Sequence, residues 1–334
     1  MALTQVETSG LSGSGASSNS TSGNVFSQTG PFKNKIINGD MRIDQRNAGA
    51  SASTGSGTYS PYFLDRWQLA GSGGGVFSVQ QSTVAPTGFT NSSLITVTTA
   101  DSSIAAGDYY QFRQTIEGFN FSNLGFGAAG AQSVTLSFWV RSSLTGTFGG
   151  SLRNYAADRS YVFTYTVNAA NTWEQKTVTI AGDTTGTWAT NNTGGAIVTF
   201  SLGVGSTFES TSGSWGAGSF VATSGSVDLV ATNGATFYIT GVQVESGSTV
   251  TPFERRSYGQ ELALCQRYFV SASINVSPSA WNATPYYFPV TMRATPTVTG
   301  TGAGYTVSGS ATNSGIYHYQ NSFGISTVNA AIEL

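Results

Sequence analysis

The sequence predicts an all-β fold: an antiparallel jelly-roll β-sandwich, one short linking helix and a small C-terminal β domain. Three observations carry that expectation. Apolar and polar residues alternate with a period of two along about ten segments between residues 34 and 250, the spacing of strands with one face in a core. Clusters such as Gly71 to Gly75, Gly125 to Gly130 and Asn191 to Gly195 punctuate these segments, and glycine supplies positive φ there without steric penalty. Helical spacing of apolar residues occurs in one stretch, Pro252 to Phe269.

The elements follow in chain order. Residues 1–33 are dominated by Gly, Ser, Thr and Asn, the composition of a flexible coil, and are expected to form an extended tail. The sandwich is expected over 34–250, with strands at Lys35 to Ile43, Asp65 to Leu69, Val76 to Gln80, Leu94 to Thr98 and Tyr110 to Ile116. The series continues at Val134 to Arg141, Ser160 to Val167, Trp173 to Ile180, Ala196 to Gly203 and Phe237 to Val244. In Val134 to Arg141, the residues Val134, Leu136, Phe138 and Val140 are assigned to the core, and Thr135, Ser137, Trp139 and Arg141 to the outer face. Trp139 is the exception on that face, and reads either as the wall of a ligand groove or as a residue covered by a loop.

Over 251–269, Ser257-Tyr258-Gly259-Gln260 fits a capping box, and Tyr258, Leu262, Cys265 and Phe269 recur at i, i+4, i+7 and i+11. A helix of about three turns is marginal alone in water, so this stripe is expected to pack at the domain junction or against other copies. Residues 270–334 return to strand patterns around Val290 to Arg293 and Thr297 to Thr299, and are expected to form the small C-terminal domain.

Composition narrows the functions. At 334 residues the chain is long enough for two cores. Only 9% of residues are charged, yet 20 Phe, 15 Tyr and 6 Trp supply buriable surface that a disordered polar chain lacks. Net charge is −2, and Lys33, Lys35 and Lys176 are the only lysines, so no basic track exists for a phosphate backbone and nucleic acid is excluded as a partner. Low net charge suits a protein held in an assembly. Cys265 stands alone, which excludes an internal disulfide framework and fits a small buried hydrophobe. No apolar run is long enough for a bilayer span, and Met1-Ala2-Leu3 has neither the basic start nor the apolar core of a secretory signal. Membrane insertion is not expected.

Catalysis finds little to work with. His318, the one histidine, lies in Tyr317-His318-Tyr319 within a nearly charge-free segment, a setting for an aromatic contact rather than a general base. Asp40 and Asp44, with Arg42 between them, read as an ion cluster securing the first strand, while Asp101 and Asp108 flank a loop. Neither pair declares an acid and a nucleophile at the separation of about 5 to 9.5 Å that glycoside hydrolysis needs. No catalytic residue is assigned. No EF-hand spacing and no Cys/His set occur, so no metal site and no cofactor are assigned. Sugar binding asks for aromatic faces beside amides and hydroxyls. Trp281, Tyr286, Tyr287, Tyr317, His318 and Tyr319 in the C-terminal domain, with Trp139 in the sandwich, are therefore candidate glycan contacts. The alternative is that the C-terminal aromatics form the core and subunit seam of a small domain.

Several segments, in order, resemble bacteriophage tail-fibre and related virion proteins. They are IINGDMRIDQR at 36–46, DRWQ at 65–68, RQTIEG at 113–118, TLSFWVRSS at 135–143, GVQVESG at 241–247, TPFERRSYGQELALCQRYF at 251–269 and FPVTMRATPTV at 288–298. The resemblance implies a virion structural protein with a jelly roll similar to carbohydrate-binding modules, a C-terminal tip, an N-terminal tail joining it to other virion proteins, and a homotrimer displayed to host surface polysaccharide. It also implies the kind of oxygen-rich loop in which such modules hold structural Ca2+, although no spacing here supports one. The chain departs from long fibres in having no extended coiled-coil or triple-helix shaft. That departure leaves a capsid decoration or head-fibre protein as the main alternative, with a capsule depolymerase as a second.

Overall fold

The computed structural model describes residues 32–276, 284–301, 305–308, 311–320 and 324–334. The tail, apart from Phe32 and Lys33, lies outside them. From Phe32 onward the chain forms one unit of antiparallel sheets, as the alternation predicts.

Thirteen strands build the sandwich: β1 (Ala52–Ser53), β2 (Tyr62–Leu64), β3 (Trp67–Gly71), β4 (Val76–Ser82), β5 (Ser92–Thr99), β6 (Tyr109–Glu117), β7 (Val134–Ser142), β8 (Gly146–Asn154), β9 (Arg159–Val167), β10 (Glu174–Ile180), β11 (Gly194–Val204), β12 (Trp215–Ala217) and β13 (Thr236–Ser246). A six-stranded sheet runs β1-β4-β5-β13-β7-β10, and a seven-stranded sheet runs β12-β9-β8-β11-β6-β3-β2. These two antiparallel sheets face each other as a jelly roll.

Their inner faces make one aromatic-rich core. Val134, Leu136, Phe138 and Val140 of β7 are all buried, as the period of two requires. Phe138 meets Phe200 of β11 edge-on at 4.9 Å between ring centroids, and Trp67 stacks on Phe112 at the same separation. Burying rings of this size accounts for how a chain so poor in Leu and Ile holds a core.

Two features depart from the sequence expectation. β8, a central strand that carries Gly149 and Gly150, is not among the expected segments. Both glycines are demanded by packing: a Cβ on Gly149 would stand 2.6 Å from that of Ala222, and one on Gly150 would meet the Phe163 ring and, at 2.6 Å, the Thr199 carbonyl. The expected first strand, Lys35 to Ile43, is instead a buried irregular plug. Asn38 and Met41 have φ of 56° and 58°, in the left-handed region, so the chain folds back on itself. The Asn38 amide donates to the carbonyls of Ile43 (2.8 Å) and Asp65 (3.0 Å) and accepts from Ile43 N (2.9 Å), while the Gln114 amide accepts from Ile37 N and donates to Ile37 O. Side chains thus satisfy backbone groups that a ladder would otherwise have paired.

The plug enters where β13 is interrupted. Between Thr240 and Gln243 the pairing of β13 with β7 shifts, and Val242 N donates to Gly39 O at 2.9 Å. The short helix α1 (Gly118–Phe121) follows β6, and α2 (Tyr258–Gln266) precedes the C-terminal strands. These are β14 (Phe269–Val276), β15 (Thr284–Tyr287), β16 (Thr297–Thr301), β17 (Tyr305–Ser308), β18 (Gly315–Gln320) and β19 (Gly324–Ala331). They form two three-stranded sheets, β14-β19-β16 and β15-β18-β17, with a small core of their own that includes Val270, Phe288, Met292, Ile316 and Val328.

Candidate functional site

The most charge-dense part of the chain builds the junction between sandwich, helix and C-terminal sheets. Ser257 caps α2 as expected, accepting from Gln260 N while the Gln260 side chain accepts from Ser257 N. Cys265 and Phe269 of the expected stripe are buried, and Glu261 and Tyr268 are buried beside them. Tyr258 is 57% exposed, Leu262 is half-buried, and Phe269 already belongs to β14. Glu261 takes an inward place beside the half-buried Leu262 because its carboxylate accepts from Asn38 N and pairs with Arg256 at 3.4 Å. Burial pushes the Glu261 carboxyl and the Cys265 thiol up from their ordinary values.

Arg66 is fully buried, with its guanidinium 3.6 Å from the centre of the Tyr268 ring and paired with Glu333 near the C-terminus. Arg46 pairs with the same carboxylate and lies 3.8 Å from the centre of the Phe269 ring. Glu117 accepts from Arg267 (2.7 and 3.1 Å) and from the Tyr268 hydroxyl. Arg293 donates to Asn192 O at 2.6 Å, tying the C-terminal unit to the sandwich. Most of the quoted motif residues are consumed here. With their charges paired and largely buried, they couple the sandwich, the helix and the C-terminal sheets, beside a cavity of about 390 Å3 lined by residues that include Asn34, Ile37, Phe119, Arg256 and Leu264.

At the root of the tail, the Glu254 carboxylate accepts from the successive backbone amides of Phe32 (2.8 Å), Lys33 (3.1 Å) and Asn34 (2.9 Å). Arg256 pairs with Glu254 at 3.0 Å. The chain therefore leaves the sandwich at a fixed point beside α2.

An open aromatic surface lies elsewhere, on the outer face of the six-stranded sheet. Register places Gln80, Leu94, Tyr238 and Arg141 in one row across β4, β5, β13 and β7, and the Trp173 ring meets the Tyr238 ring edge-on at 6.1 Å. The next row carries Thr240, Trp139 and Gln175. Trp139 is half-buried, beside Phe89 over Gly241, where a Cβ would stand 3.1 Å from the indole and 2.7 Å from the phenyl ring. Arg141 lies 4.9 Å from the Tyr238 ring centre, and Arg255 lies 4.7 Å from that of Phe89. Trp139, Trp173, Tyr238, Phe89, Leu94 and Gln80 are all half-buried, so each keeps part of its side chain in contact with solvent. Sequence reading found Trp139 and missed Trp173, Tyr238 and Phe89. The signal for Tyr238 was present, since it alternates with the inward Phe237 and Ile239.

The C-terminal candidates lie on a different sheet from Trp139. Tyr287 on β15 is 72% exposed. Tyr286 is half-buried, packs against the small core and meets Phe288 edge-on at 5.9 Å. Tyr317, His318 and Tyr319 are on β18, whose backbone register sets Tyr317 opposite Pro285 and His318 opposite Thr284. Trp281 lies outside the described residues.

The acidic pairs have structural duties. Asp40 pairs with Arg42, whereas Asp44 accepts from Asn47 N (2.9 Å) and Gly49 N (2.7 Å), so the two do not act as one cluster. Asp101 accepts from the Tyr110 hydroxyl at 2.6 Å, and Asp108 from Ser72 Oγ at 3.1 Å. A cleft of about 400 Å3 carries Glu209 and Asp228, and burial raises the Asp228 carboxyl above its ordinary range. Among the described residues no group of three or more His, Cys, Asp or Glu side chains is arranged to hold a metal, and no helix is long and apolar enough to cross a membrane.

No family model matches the chain, and no curated protein matches it. Among solved structures, the enzymatically active domain of tailspike protein 4 from bacteriophage CBA120 overlays with a TM-score of 0.33 at 16% identity, over 65% of this chain and 22% of that one. A family 4 carbohydrate-binding module gives 0.30 at 17% identity over 63% of this chain and 99% of that one. The C-terminal family 22 carbohydrate-binding module of Clostridium thermocellum Xyn10B gives 0.32 at 16%, over 56% and 89%. Likenesses of this size carry no argument about function, which rests on the chain's own surfaces.

Proposed function

We propose that this chain is a phage virion structural protein, a tail fibre or fibre-like adhesin, that holds host surface glycan without turning it over. Residues 1–33 anchor it to other virion proteins, and it works as a homotrimer. The observation that carries the glycan reading is the outer face of the six-stranded sheet, where the part-exposed rings of Trp173, Tyr238 and Trp139 cluster with Gln80 and Gln175 on the same rows. Pyranose C–H groups pack on such faces, and neighbouring amides satisfy sugar hydroxyls. Tyr287 offers a further exposed ring on the C-terminal sheet. The charged junction supports the mechanical side of the reading, because its paired charges fix the helix and C-terminal sheets to the sandwich.

Deletion of residues 1–31 tests the anchoring. The truncated chain should keep its β-sheet circular dichroism, fail to enter particles, and still compete with intact phage for adsorption to host cells. Normal incorporation of the truncated chain would refute the anchor. A depolymerase remains the second reading, favoured by Glu209 and Asp228 sharing one cleft, and it alone requires release of reducing ends from host capsule.

A further inference from the structure

The outer face of the seven-stranded sheet carries two guanidinium groups that no carboxylate balances. None of the ion pairs among the described residues includes Arg113 or Arg153. Arg153 is only 5% exposed. It donates to Gln111 Oε1 at 3.3 Å and to Ser219 Oγ, while its Nε has no hydrogen-bond partner. Arg113, half-buried, donates through Nε to Gln68 Oε1 at 2.6 Å.

Both lie on one face of the sheet. Register sets Arg113 beside Thr199 and Thr199 beside Ser151, with Arg153 beside Ile197 in the adjoining row. The hydroxyls of Thr199 and Ser151 are also buried without partners. A guanidinium stays charged at any physiological pH, and a buried charge without a counter-charge is strongly unfavourable. Burial and the neighbouring charge of Arg113 both push the Arg153 group down, to about 10. An anion would supply the missing counter-charge, and guanidinium groups match the two oxygens of a carboxylate. Tyr155, just past β8 and 49% exposed, packs its ring over Gly194 of β11.

The geometry points to a second ligand site on this face, taking a carboxylate carried on a sugar ring, with Arg113 and Arg153 gripping the carboxylate and Thr199 and Ser151 beneath it. Only the source of the carboxylate, an acidic polysaccharide, rests on the glycan reading proposed above, and that reading fails separately through variants of the opposite sheet.

The test titrates the full chain with sodium glucuronate, sodium acetate and glucose at constant ionic strength, following the thermal midpoint. Glucuronate should raise the midpoint, glucose should leave it unchanged, and acetate should act at least tenfold more weakly than glucuronate. Arg153→Met and Arg113→Gln should each weaken the glucuronate response at least tenfold. Arg153→Met without ligand should be as stable as the parent or more so, because an apolar side chain replaces an unbalanced charge. Glucuronate acting no more strongly than acetate, or a full response retained in both variants, would overturn the proposal.

Discussion

The guanidinium of Arg66 lies face to face with the Tyr268 ring, 3.6 Å from its centre, while pairing with Glu333. One contact therefore joins the sandwich, the end of the linking helix and the C-terminus. Removing one partner of a buried pair leaves the other charge uncompensated, at a loss of about 3 to 5 kcal/mol. Glu333→Ala strands both Arg66 and Arg46, and denaturant unfolding should register a loss of that size.

Gly150 makes a sharper packing test. Its hydrogen faces the Phe163 ring and the Thr199 carbonyl, so Gly150→Ala over-packs the sheet and should destabilise by about 1 to 3 kcal/mol in thermal melts. An unchanged midpoint would mean that β8 does not approach β9 and β11 as closely as described.

Asp65 supplies a pH test. Burial pushes its carboxyl up to about 6, against the opposing pull of Arg46 and of the donors on Gln45. Its folded value exceeds its unfolded one, so the protonated form favours folding. The contribution is fully present below about pH 4 and is lost as pH rises through 6, a change of roughly 2 to 3 kcal/mol. Comparing unfolding free energies of the parent and Asp65→Asn between pH 4 and 7 should show this falling component in the parent and its absence in the variant.

The homotrimer is read from mass. Light scattering on the purified chain should give three copies of the 34.7 kDa subunit. A monomer at high concentration would remove that part of the reading.

How much of this was legible in the residues varies by element. The alternation in Val134 to Arg141 placed four core residues correctly, because an unbulged strand turns successive side chains to opposite faces. The capping box at Ser257 was equally local. What failed depended on distant partners. The plug around Asn38 looked like a strand because its backbone bonds go to side chains far along the chain, and Glu261 was passed over because an apolar search rejects a carboxylate that a remote amide requires. β8 went unassigned because its glycines break the apolar alternation, and the Phe163 ring that excludes a Cβ at Gly150 lies on another strand. At the candidate site Trp139 could be found by its wrong-face position. Trp173 and Tyr238 became neighbours only once the strand order was known.

The central claim is adhesion to sugar through the outer face of the six-stranded sheet. Its most direct test is calorimetric titration of purified host surface polysaccharide into the parent chain and into the Trp139→Ala, Trp173→Ala, Tyr238→Ala triple variant, with reducing ends assayed in the same samples. Stacked aromatic faces are worth about 1 kcal/mol or more apiece, so the parent should bind and the folded triple variant should lose at least tenfold in affinity, with no reducing ends released by either. Undiminished binding by the triple variant, or reducing ends that accumulate with the parent, would contradict the account.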